Sequence, residues 1–342
     1  MTDTAADGTD LIGLTRALVD IDSTTGKEGE AAQFLSRYLR EQGYTVHDQQ
    51  VDERRFNVFA TCGTPAVLYS THFDCVPPFF PSRVENGRIY GRGSCDAKGI
   101  LAAQVAAAGR LRAQGETRVG MLFVVGEERG SDGARRANEY ARDSAFLING
   151  EPTDSRLGLA TRGVLRVGLK ASGRAAHSSF PELGESAIDK LLDVLNEIKH
   201  IEWPSDDLLG HTHYIVGLIS GGVAPNVVPP HADAELMFRT VGDASEIVRL
   251  LEPFAARVAI EQILEVPTVR LKTVPGFDTE VFPYTTDIPF LRGWGEPLLF
   301  GPGSIHVAHT ANEFIDIAEQ RAAVDGYVRL AQHLLTDTPS AR

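Results

Sequence analysis

Apolar residues in the first half of the chain fall into two alternating patterns. Short continuous apolar runs, typical of strands buried on both faces, occupy residues 66–71, 119–125 and 145–149. Helix-spaced apolar or alanine-rich stretches occupy residues 11–20, 28–42, 100–114 and 133–141. Strands that alternate with helices in this way predict an α/β fold with a mostly parallel central sheet covered by helices.

The pattern changes near residue 163, where apolar and polar residues alternate along 164–171 as in a strand with one exposed face. The elements predicted after it are a helix over 185–200, strands over 212–220 and 232–240, a helix over 244–258 and a strand over 267–274. This βαββαβ order resembles a ferredoxin-like sandwich, which can fold alone. We therefore predict an inserted domain at residues 163–274. The larger domain would comprise residues 1–162 and 275–342 and end in a helix over 313–335.

Composition narrows the functional classes. The 342 residues carry a formal net charge of -13, which argues against nucleic-acid binding because phosphate recognition needs clustered lysine and arginine. No apolar stretch approaches the roughly 20 residues that a membrane-spanning helix needs, and the acidic N-terminus has no signal-peptide pattern. The three cysteines cannot all pair. These features predict a cytoplasmic protein that binds neither nucleic acid nor membrane.

Acidic and imidazole side chains follow the predicted buried strands. His72 and Asp74 follow the first run, Glu127 and Glu128 follow the second, and Glu151 follows the third. Because ligands of parallel sheets bind beyond the carboxyl ends of the strands, we expect these side chains to line one crevice. Adjacent acids are usually solvated surface, but the position of Glu127 and Glu128 directly after a buried strand argues against that alternative.

A glycine-rich loop, GRGSCDAKG at residues 91–99, delivers a further carboxylate, Asp96, just ahead of a predicted helix. The simpler interpretation is that Asp96 only caps that helix. The other acids and histidines at the strand ends argue for more. A set of nitrogen and oxygen donors without sulfur suits zinc, cobalt or manganese, and Asp96 could bridge two such ions. A late histidine would complete the set, and spacing alone does not choose between His306 and His309.

Several motifs in a fixed order give the chain a family resemblance. They are HFDCVP at 72–77, GRGSCDAKG at 91–99, GEE at 126–128, GEP at 150–152, AHSS at 176–179 and AH at 308–309. With them the chain resembles the dinuclear zinc amidohydrolases that include acetylornithine deacetylase, succinyl-diaminopimelate desuccinylase, aminoacylase and glutamate-releasing carboxypeptidases. Cys95 before Asp96 and the sequence Gly301-Pro302-Gly303 are most similar to the acetylornithine deacetylase branch.

The resemblance implies two divalent metal ions, zinc in the first place. One ion would be held by His72 and Glu151, the other by Glu128 and His309, and Asp96 would bridge them. This choice selects His309 over His306. The resemblance also implies that Glu127 is the general acid and base. Asp74 would contact the metal ligands and orient them without binding an ion itself.

The inserted domain has its own implied roles. In relatives this domain supplies a histidine, here His177, that reaches a neighbouring active site and helps to hold the oxyanion, and it mediates a homodimer. Asn226 and Arg239 resemble the family's contacts to a substrate carboxylate. The loop that contains Gly301 and Gly303 resembles a second such contact.

These observations predict a metal-dependent amidohydrolase that removes a small acyl group from an N-acyl amino acid with a free α-carboxylate. One alternative is a carboxypeptidase or dipeptidase that cuts short peptides at the same metals. Another is a metal-binding or peptide-binding relative without catalysis, against which the complete ligand set and Glu127 argue.

Overall fold

The computed structural model describes residues 10–141 and 144–336. The chain forms two compact units: a larger unit of Met1–Leu159, Leu271–Glu280 and Thr286–Arg342, and a smaller unit of Ala160–Arg270 and Val281–Thr285. The predicted boundaries of the inserted domain fall after residues 162 and 274, whereas the main segment of the smaller unit begins after Leu159 and ends at Arg270. A short strand pair explains the difference, because Thr161 and Ala160 pair with Val269 and Arg270 within the smaller unit.

The strands are numbered in chain order. They are β1 Thr45–Gln50, β2 Phe56–Thr61, β3 Val67–His72, β4 Arg83–Glu85, β5 Arg88–Tyr90, β6 Val119–Val124, β7 Phe146–Asn149, β8 Leu157–Thr161, β9 Gly163–Ser172, β10 Ser205–Asp206, β11 Gly210–His211, β12 His213–Gly221, β13 His231–Thr240, β14 Ala259–Val266, β15 Val269–Arg270, β16 Thr279–Phe282, β17 Glu296–Leu299 and β18 Phe314–Asp316.

The α-helices are α1 Leu11–Val19, α2 Gly29–Glu41, α3 Lys98–Ala113, α4 Asp132–Asn138, α5 Ala187–Ile198, α6 Ala244–Leu251 and α7 Ile317–Thr336. Short 3-10 helices occupy Glu127–Arg129, Pro181–Leu183, Glu252–Ala256, Ile288–Phe290 and Arg292–Trp294. Within the described ranges, no helix is both long and apolar enough to cross a membrane.

The larger unit is built on a six-stranded sheet in the order β1-β2-β6-β3-β7-β17. Strands β6, β3, β7 and β17 run parallel, and the hairpin of β1 and β2 adds an antiparallel edge. Every residue of β3 and β6 is buried, as their continuous apolar sequences predict. The predicted mostly parallel α/β sheet is confirmed.

Helix α3 is the central helix of the larger unit. Its residues are buried on every side from Lys98 to Gly109, because it packs against β3 and β6 as well as against α1 and α7. The alanine-rich sequence allows this close approach on several faces at once. The last helix begins at Ile317, later than the predicted start at residue 313, because Phe314–Asp316 forms β18 and pairs with β5.

The smaller unit contains a four-stranded antiparallel sheet in the order β12-β13-β9-β14. Helices α5 and α6 bury their apolar faces in the same core as the sheet, for example Leu191 and Ile247. This is the strand order of a βαββαβ ferredoxin-like sandwich, as predicted.

One strand of the smaller unit lies elsewhere than predicted. The last strand of the sandwich is β14, Ala259–Val266, and not residues 267–274; the preceding helix ends at Leu251 rather than at residue 258. The reason is that β14 is an edge strand with mostly exposed residues, so its sequence lacks the apolar alternation of a half-buried strand. Pro267 cannot donate to a strand ladder and follows directly after it.

Candidate metal centre

His72 is the last residue of β3, and its imidazole is buried with 1% of its surface exposed. Nδ1 lies 3.1 Å from the backbone oxygen of Asp74, which is hydrogen-bonding distance. With Nδ1 facing that oxygen, Nε2 points to the opposite side of the ring, where it lies 3.0 Å from Oδ1 of Asp96. The parallel strand therefore presents one ring nitrogen at the carboxyl edge of the sheet.

Asp74 holds the loop that follows β6. Its buried carboxylate accepts hydrogen bonds from the N–H groups of Glu127 at 3.0 Å and Glu128 at 3.2 Å, and from the hydroxyl of Thr25 at 2.8 Å. The backbone oxygen of Asp74, rather than its carboxylate, makes the shorter contact to the His72 ring, since Oδ1 lies 3.4 Å from Nδ1. Asp74 thus orients Glu127 and Glu128 through their backbone N–H groups.

Asp96 directs its two carboxylate oxygens towards different histidines. Oδ1 lies 3.0 Å from Nε2 of His72, and Oδ2 lies 3.3 Å from Nε2 of His309. The alternative that Asp96 only caps α3 is wrong: the N-cap residue is Ala97, and no side chain caps the helix. Glycine at position 93, with φ of +82°, lets the loop before Asp96 turn sharply.

Glu128 and Glu151 complete two separate groups. Oε1 of Glu128 lies 2.8 Å from Nε2 of His309, and Oε2 of Glu151 lies 3.9 Å from Nε2 of His72. Glu151 Oε1 is buried, and the described part of the chain gives it no hydrogen-bond partner.

The structure therefore brings together two groups of three side chains. His72, Asp96 and Glu151 form the first group, and Asp96, Glu128 and His309 form the second. Within each group the ligand atoms lie within 4.8 Å of one another, and Asp96 belongs to both. Of the two late histidines, His309 is the one that lies in a group.

The imidazoles of both groups favour the protonated form. Burial disfavours a charge on His72, but hydrogen bonds with Asp74 and Asp96 outweigh it and raise its pKa well above the ordinary value. Hydrogen bonds with Asp96 and Glu128 raise the pKa of the half-exposed His309 to about 10. The surrounding carboxylates thus attract positive charge to this edge of the sheet.

The carboxyl groups of the two ligand groups also have shifted pKa values. Burial raises the pKa of Glu151 well above its ordinary value and raises that of Glu128 as well. Burial also opposes ionisation of Asp96, but hydrogen bonds with His309 and His72 outweigh it and lower the pKa of Asp96.

These residues fit a pair of divalent cations. The donors are imidazole nitrogens and carboxylate oxygens, one carboxylate is shared, and Glu151 carries a buried oxygen that has no other partner in the described chain. Two cations would also supply the positive charge that the protonated imidazoles provide and would displace those protons.

Glu127 lies beside the two groups but belongs to neither. It begins the 3-10 helix Glu127–Arg129, which follows the left-handed Gly126 (φ +75°). Burial, reinforced by the charge of Glu151, raises the pKa of Glu127 well above its ordinary value. A carboxyl group with a raised pKa can both accept and return a proton near neutral pH.

Two acids near this edge were not predicted from the sequence. Glu313 is fully buried and accepts hydrogen bonds from the N–H groups of Cys95 and Asp96, both at 3.1 Å. Asp287 is also buried, and burial raises its pKa to about 7, with the Ser131 side chain acting in the other direction. No sequence pattern distinguishes either acid, because Glu313 and Asp287 both lie outside the strands and α-helices.

The loop with Gly301 and Gly303 packs against the centre. The Gly301 N–H donates to Thr153 Oγ1 at 2.9 Å, and the Gly303 N–H donates to Glu319 at 2.8 Å. A Cβ on Gly301 would lie 2.4 Å from the backbone oxygen of Glu151. Both N–H groups thus have internal partners, and the contact of this loop with a substrate carboxylate stays a prediction.

His177, Asn226 and Arg239 all belong to the smaller unit. His177 and Asn226 are exposed and lie on neighbouring loops, joined by the Ser178 N–H, which donates to the backbone oxygen of Asn226 at 3.0 Å. Arg239 lies in β13 and is partly buried, and burial lowers its pKa. Their roles towards a substrate stay predictions.

A parallel sheet whose carboxyl edge carries two ligand groups joined by one aspartate is typical of dinuclear metallohydrolases. Comparison with known proteins agrees with this class. The chain belongs to peptidase family M20/M25/M40, whose family model matches residues 68–333. It is accordingly a hydrolase of amide bonds.

Individual relatives support the same family. A probable carboxypeptidase of Aspergillus flavus is 37% identical, covering 94% of this chain and 86% of that protein. A tripeptidase from Staphylococcus aureus has the same fold, with a TM-score of 0.81 at 20% identity over 97% of this chain and all of that one. A dinuclear metal-binding peptidase from Bacillus subtilis superposes with a TM-score of 0.74 at 17% identity over 97% and 99% of the two chains. The predicted nearness to the acetylornithine deacetylase branch stays a prediction.

Proposed function

We propose that the chain hydrolyses the amide bond on the amino side of a residue that carries a free α-carboxylate, with Glu127 as the general base. The observation that carries this proposal is the arrangement at the sheet edge. Asp96 is shared by two ligand groups, and Glu127, whose pKa is raised, stands beside both groups without joining either.

In this proposal His72, Asp96 and Glu151 hold one ion, and Asp96, Glu128 and His309 hold the other. The nitrogen and oxygen donors suit zinc, with cobalt or manganese as alternatives. When bound, such ions acidify water and polarise the amide carbonyl.

Glu127 moves the protons. Its carboxylate accepts a proton from the attacking water, and the resulting carboxylic acid returns that proton to the departing amine nitrogen. Two hydrogen bonds from the N–H groups of Glu127 and Glu128 to Asp74 hold the loop during both transfers. Burial favours the protonated form of Glu127, which is the form that donates a proton to the amine nitrogen.

The substrate class has two candidates that share this chemistry. The resemblance to the acetylornithine deacetylase branch favours removal of a small acyl group from an N-acyl amino acid. The relatives named probable carboxypeptidases, 36–38% identical to this chain, favour cleavage of a C-terminal residue from a short peptide. We put the carboxypeptidase first and keep the deacylase second.

One experiment distinguishes the two candidates. Purified protein loaded with zinc is given N-acetyl amino acids and, in parallel, dipeptides and tripeptides with the same C-terminal residues. Higher kcat/KM on the peptides supports the carboxypeptidase, and higher kcat/KM on the N-acetyl amino acids supports the deacylase. Cleavage of neither set by metal-loaded protein contradicts the proposed function.

The smaller unit is proposed to supply the remaining contacts. His177 would stabilise the oxyanion, in its own or a partner subunit's site, and Asn226 and Arg239 would bind the substrate carboxylate. A guanidinium is suited to this role because it binds a carboxylate through two parallel hydrogen bonds.

We also propose a homodimer formed through the smaller unit. Strand β12 is at the edge of the four-stranded sheet and exposes Ile215, Leu218 and Ile219, each by more than half of its surface. An exposed apolar edge strand is a template for pairing with another chain. A second copy of the same strand would cover these side chains.

A further inference from the structure

Glu313 is a fully buried acid that directs each of its acceptor atoms to the loop ahead of Asp96. Its Oε1 accepts the N–H groups of Cys95 and Asp96, both at 3.1 Å. Its Oε2 pairs with Nη1 of Arg92 at 2.6 Å, and its backbone oxygen accepts the N–H of Gly91 at 3.2 Å. One residue thus contacts residues 91–96 at four points, three of them backbone N–H groups and the fourth the Arg92 guanidinium.

Arg92 is itself fixed on the side away from Glu313. Its Nε donates to the backbone oxygen of Pro78 at 3.2 Å, and its guanidinium lies 5.0 Å from the ring centroid of Phe80. Only 2% of its side chain is exposed. The ion pair is therefore anchored in the protein interior, where screening by salt is weak.

Glu313 also lies on the segment that carries His309, another member of the second ligand group. Four residues before it stands His309, whose φ of +62° is rare for a non-glycine residue. His309 Nε2 lies 3.3 Å from Asp96 Oδ2. The contacts of Glu313 therefore join the loop that carries Asp96 to the segment that carries His309.

We propose that Glu313, together with Arg92, is a positioning residue that joins the Asp96 loop to the His309 segment and so sets the geometry of the second ligand group. This inference rests on the proposed function, because it assumes that Asp96, Glu128 and His309 hold an ion. Glu313 itself belongs to neither ligand group. Its effect on the ion would pass entirely through Asp96 and His309.

A carboxylate suits this task better than a neutral side chain. Hydrogen bonds to an ionised acceptor are shorter and stronger than neutral ones, and one oxygen serves two backbone donors while the other serves a guanidinium. A glutamine has one acceptor and one donor end. If its oxygen faces Cys95 and Asp96, its NH₂ group faces Arg92, and if it turns over, the two backbone donors lose their acceptor.

A purely structural role is the alternative, in which the buried pair stabilises the fold and has no specific effect on the ions. Glu28 offers a matched control, because it is also fully buried and pairs with an arginine, Arg55, at 3.2 Å. Its contacts do not include the Asp96 loop or the His309 segment. The charge of Glu28 acts on Asp74, which belongs to neither ligand group, so Glu28→Gln should lower stability and change metal affinity much less than Glu313→Gln does.

The test compares Glu313→Gln, Glu28→Gln and the unchanged protein by chelator competition for Zn²⁺. We expect Glu313→Gln to weaken the binding of at least one ion by about 10–100-fold, the range found when partners that orient metal ligands are removed. Turnover of Glu313→Gln should recover in excess Zn²⁺. Unchanged affinity in Glu313→Gln, or an equal loss in both variants, would overturn the proposal.

A second variant serves if Glu313→Gln does not fold, since removing one partner leaves the other charge buried and unpaired. The double substitution Arg92→Met with Glu313→Leu removes both charges and both acceptor oxygens. Weaker zinc binding by at least tenfold supports the proposal, and affinity equal to that of the unchanged protein overturns it. Because these measurements need no substrate, they are independent of the proposed function, which fails if the unchanged, metal-loaded protein cleaves neither substrate set.

Discussion

Asp96 and His309 approach each other at 3.3 Å between Oδ2 and Nε2, while the other oxygen of Asp96 lies 3.0 Å from His72. The two histidines are far apart in sequence, and one carboxylate lies between them. This relationship makes Asp96 the common member of both ligand groups and leads to the first prediction.

Asp96→Ala should remove both ions, because it removes the ligand that the two groups share. Glu151→Ala and His309→Ala should each weaken chiefly one ion, since each residue belongs to a single group. Metal content after dialysis, measured by mass spectrometry, checks this ranking. Two tightly bound equivalents in Asp96→Ala would contradict the shared-ligand arrangement.

The metal-free protein should lose stability as the pH rises from about 6.5 to about 10. The pKa of His309 is raised from 6.5 to about 10, and that of His72 is raised too. A group with a raised folded-state pKa contributes stability below its unfolded pKa and loses that contribution as the pH rises through the folded value. Burial raises the pKa of Glu151 as well, so this carboxyl group acts in the same direction, whereas the contribution of Asp287, whose pKa is raised from 3.8 to about 7, is lost mostly below this window.

Thermal unfolding in the presence of a chelator, at several pH values across this window, measures the effect. The zinc-loaded protein is the control, and its Tm should vary less because cations take the place of the protons. A metal-free Tm that stays constant or increases with pH would show that these protonations do not support the fold.

Gly301→Ala should disturb the ligand group that contains Glu151. The added Cβ would lie 2.4 Å from the Glu151 backbone oxygen, a contact that requires the backbone to move. Overpacking of this kind costs about 1–3 kcal/mol. We expect a lower free energy of unfolding together with weaker binding of one ion.

Gly242→Ala is the control for this change, because a Cβ there would meet no atom within 4 Å. Denaturant unfolding of both variants gives the free energy of unfolding, and metal titration gives the affinity for each ion. Equal behaviour of the two variants would mean that Gly301 does not constrain the position of Glu151.

Leu218→Lys should convert a dimer into a monomer if β12 forms the proposed interface. The side chain of Leu218 is exposed by 63%, so the change should leave the fold of the smaller unit intact. Charged residues on an edge strand oppose pairing with another chain. Light scattering after size-exclusion chromatography gives the mass. A protein that is monomeric without the substitution, or a variant that stays dimeric, would remove β12 as the interface.

The sequence predicts where side chains lie when they stand at the ends of regular strands. His72, Glu128 and Glu151 follow buried parallel strands, and such strands end at the same edge of a sheet, so their proximity could be predicted. The choice of His309 over His306 came only from the family resemblance. His309 lies in a loop, where no periodicity fixes the direction of a side chain.

Other features depend on contacts that a sequence pattern does not encode. Glu313 reaches the Asp96 loop across a sequence separation of 217 residues, and neither partner stands in a regular element. Strand β14 lies earlier in the chain than the sequence predicts, because its exposed edge position removes the alternation that identifies a strand. The N–H groups of Gly301 and Gly303 have internal partners, which only the folded loop reveals.

Glu127→Gln is the decisive variant for the proposed mechanism, because it removes the proposed base and keeps the shape of the side chain. We expect two bound equivalents of zinc, as in the unchanged protein, and a fall in kcat of about 10²–10⁴-fold on the best substrate. A variant that binds zinc normally and retains its full kcat would contradict the assignment of Glu127 as the base.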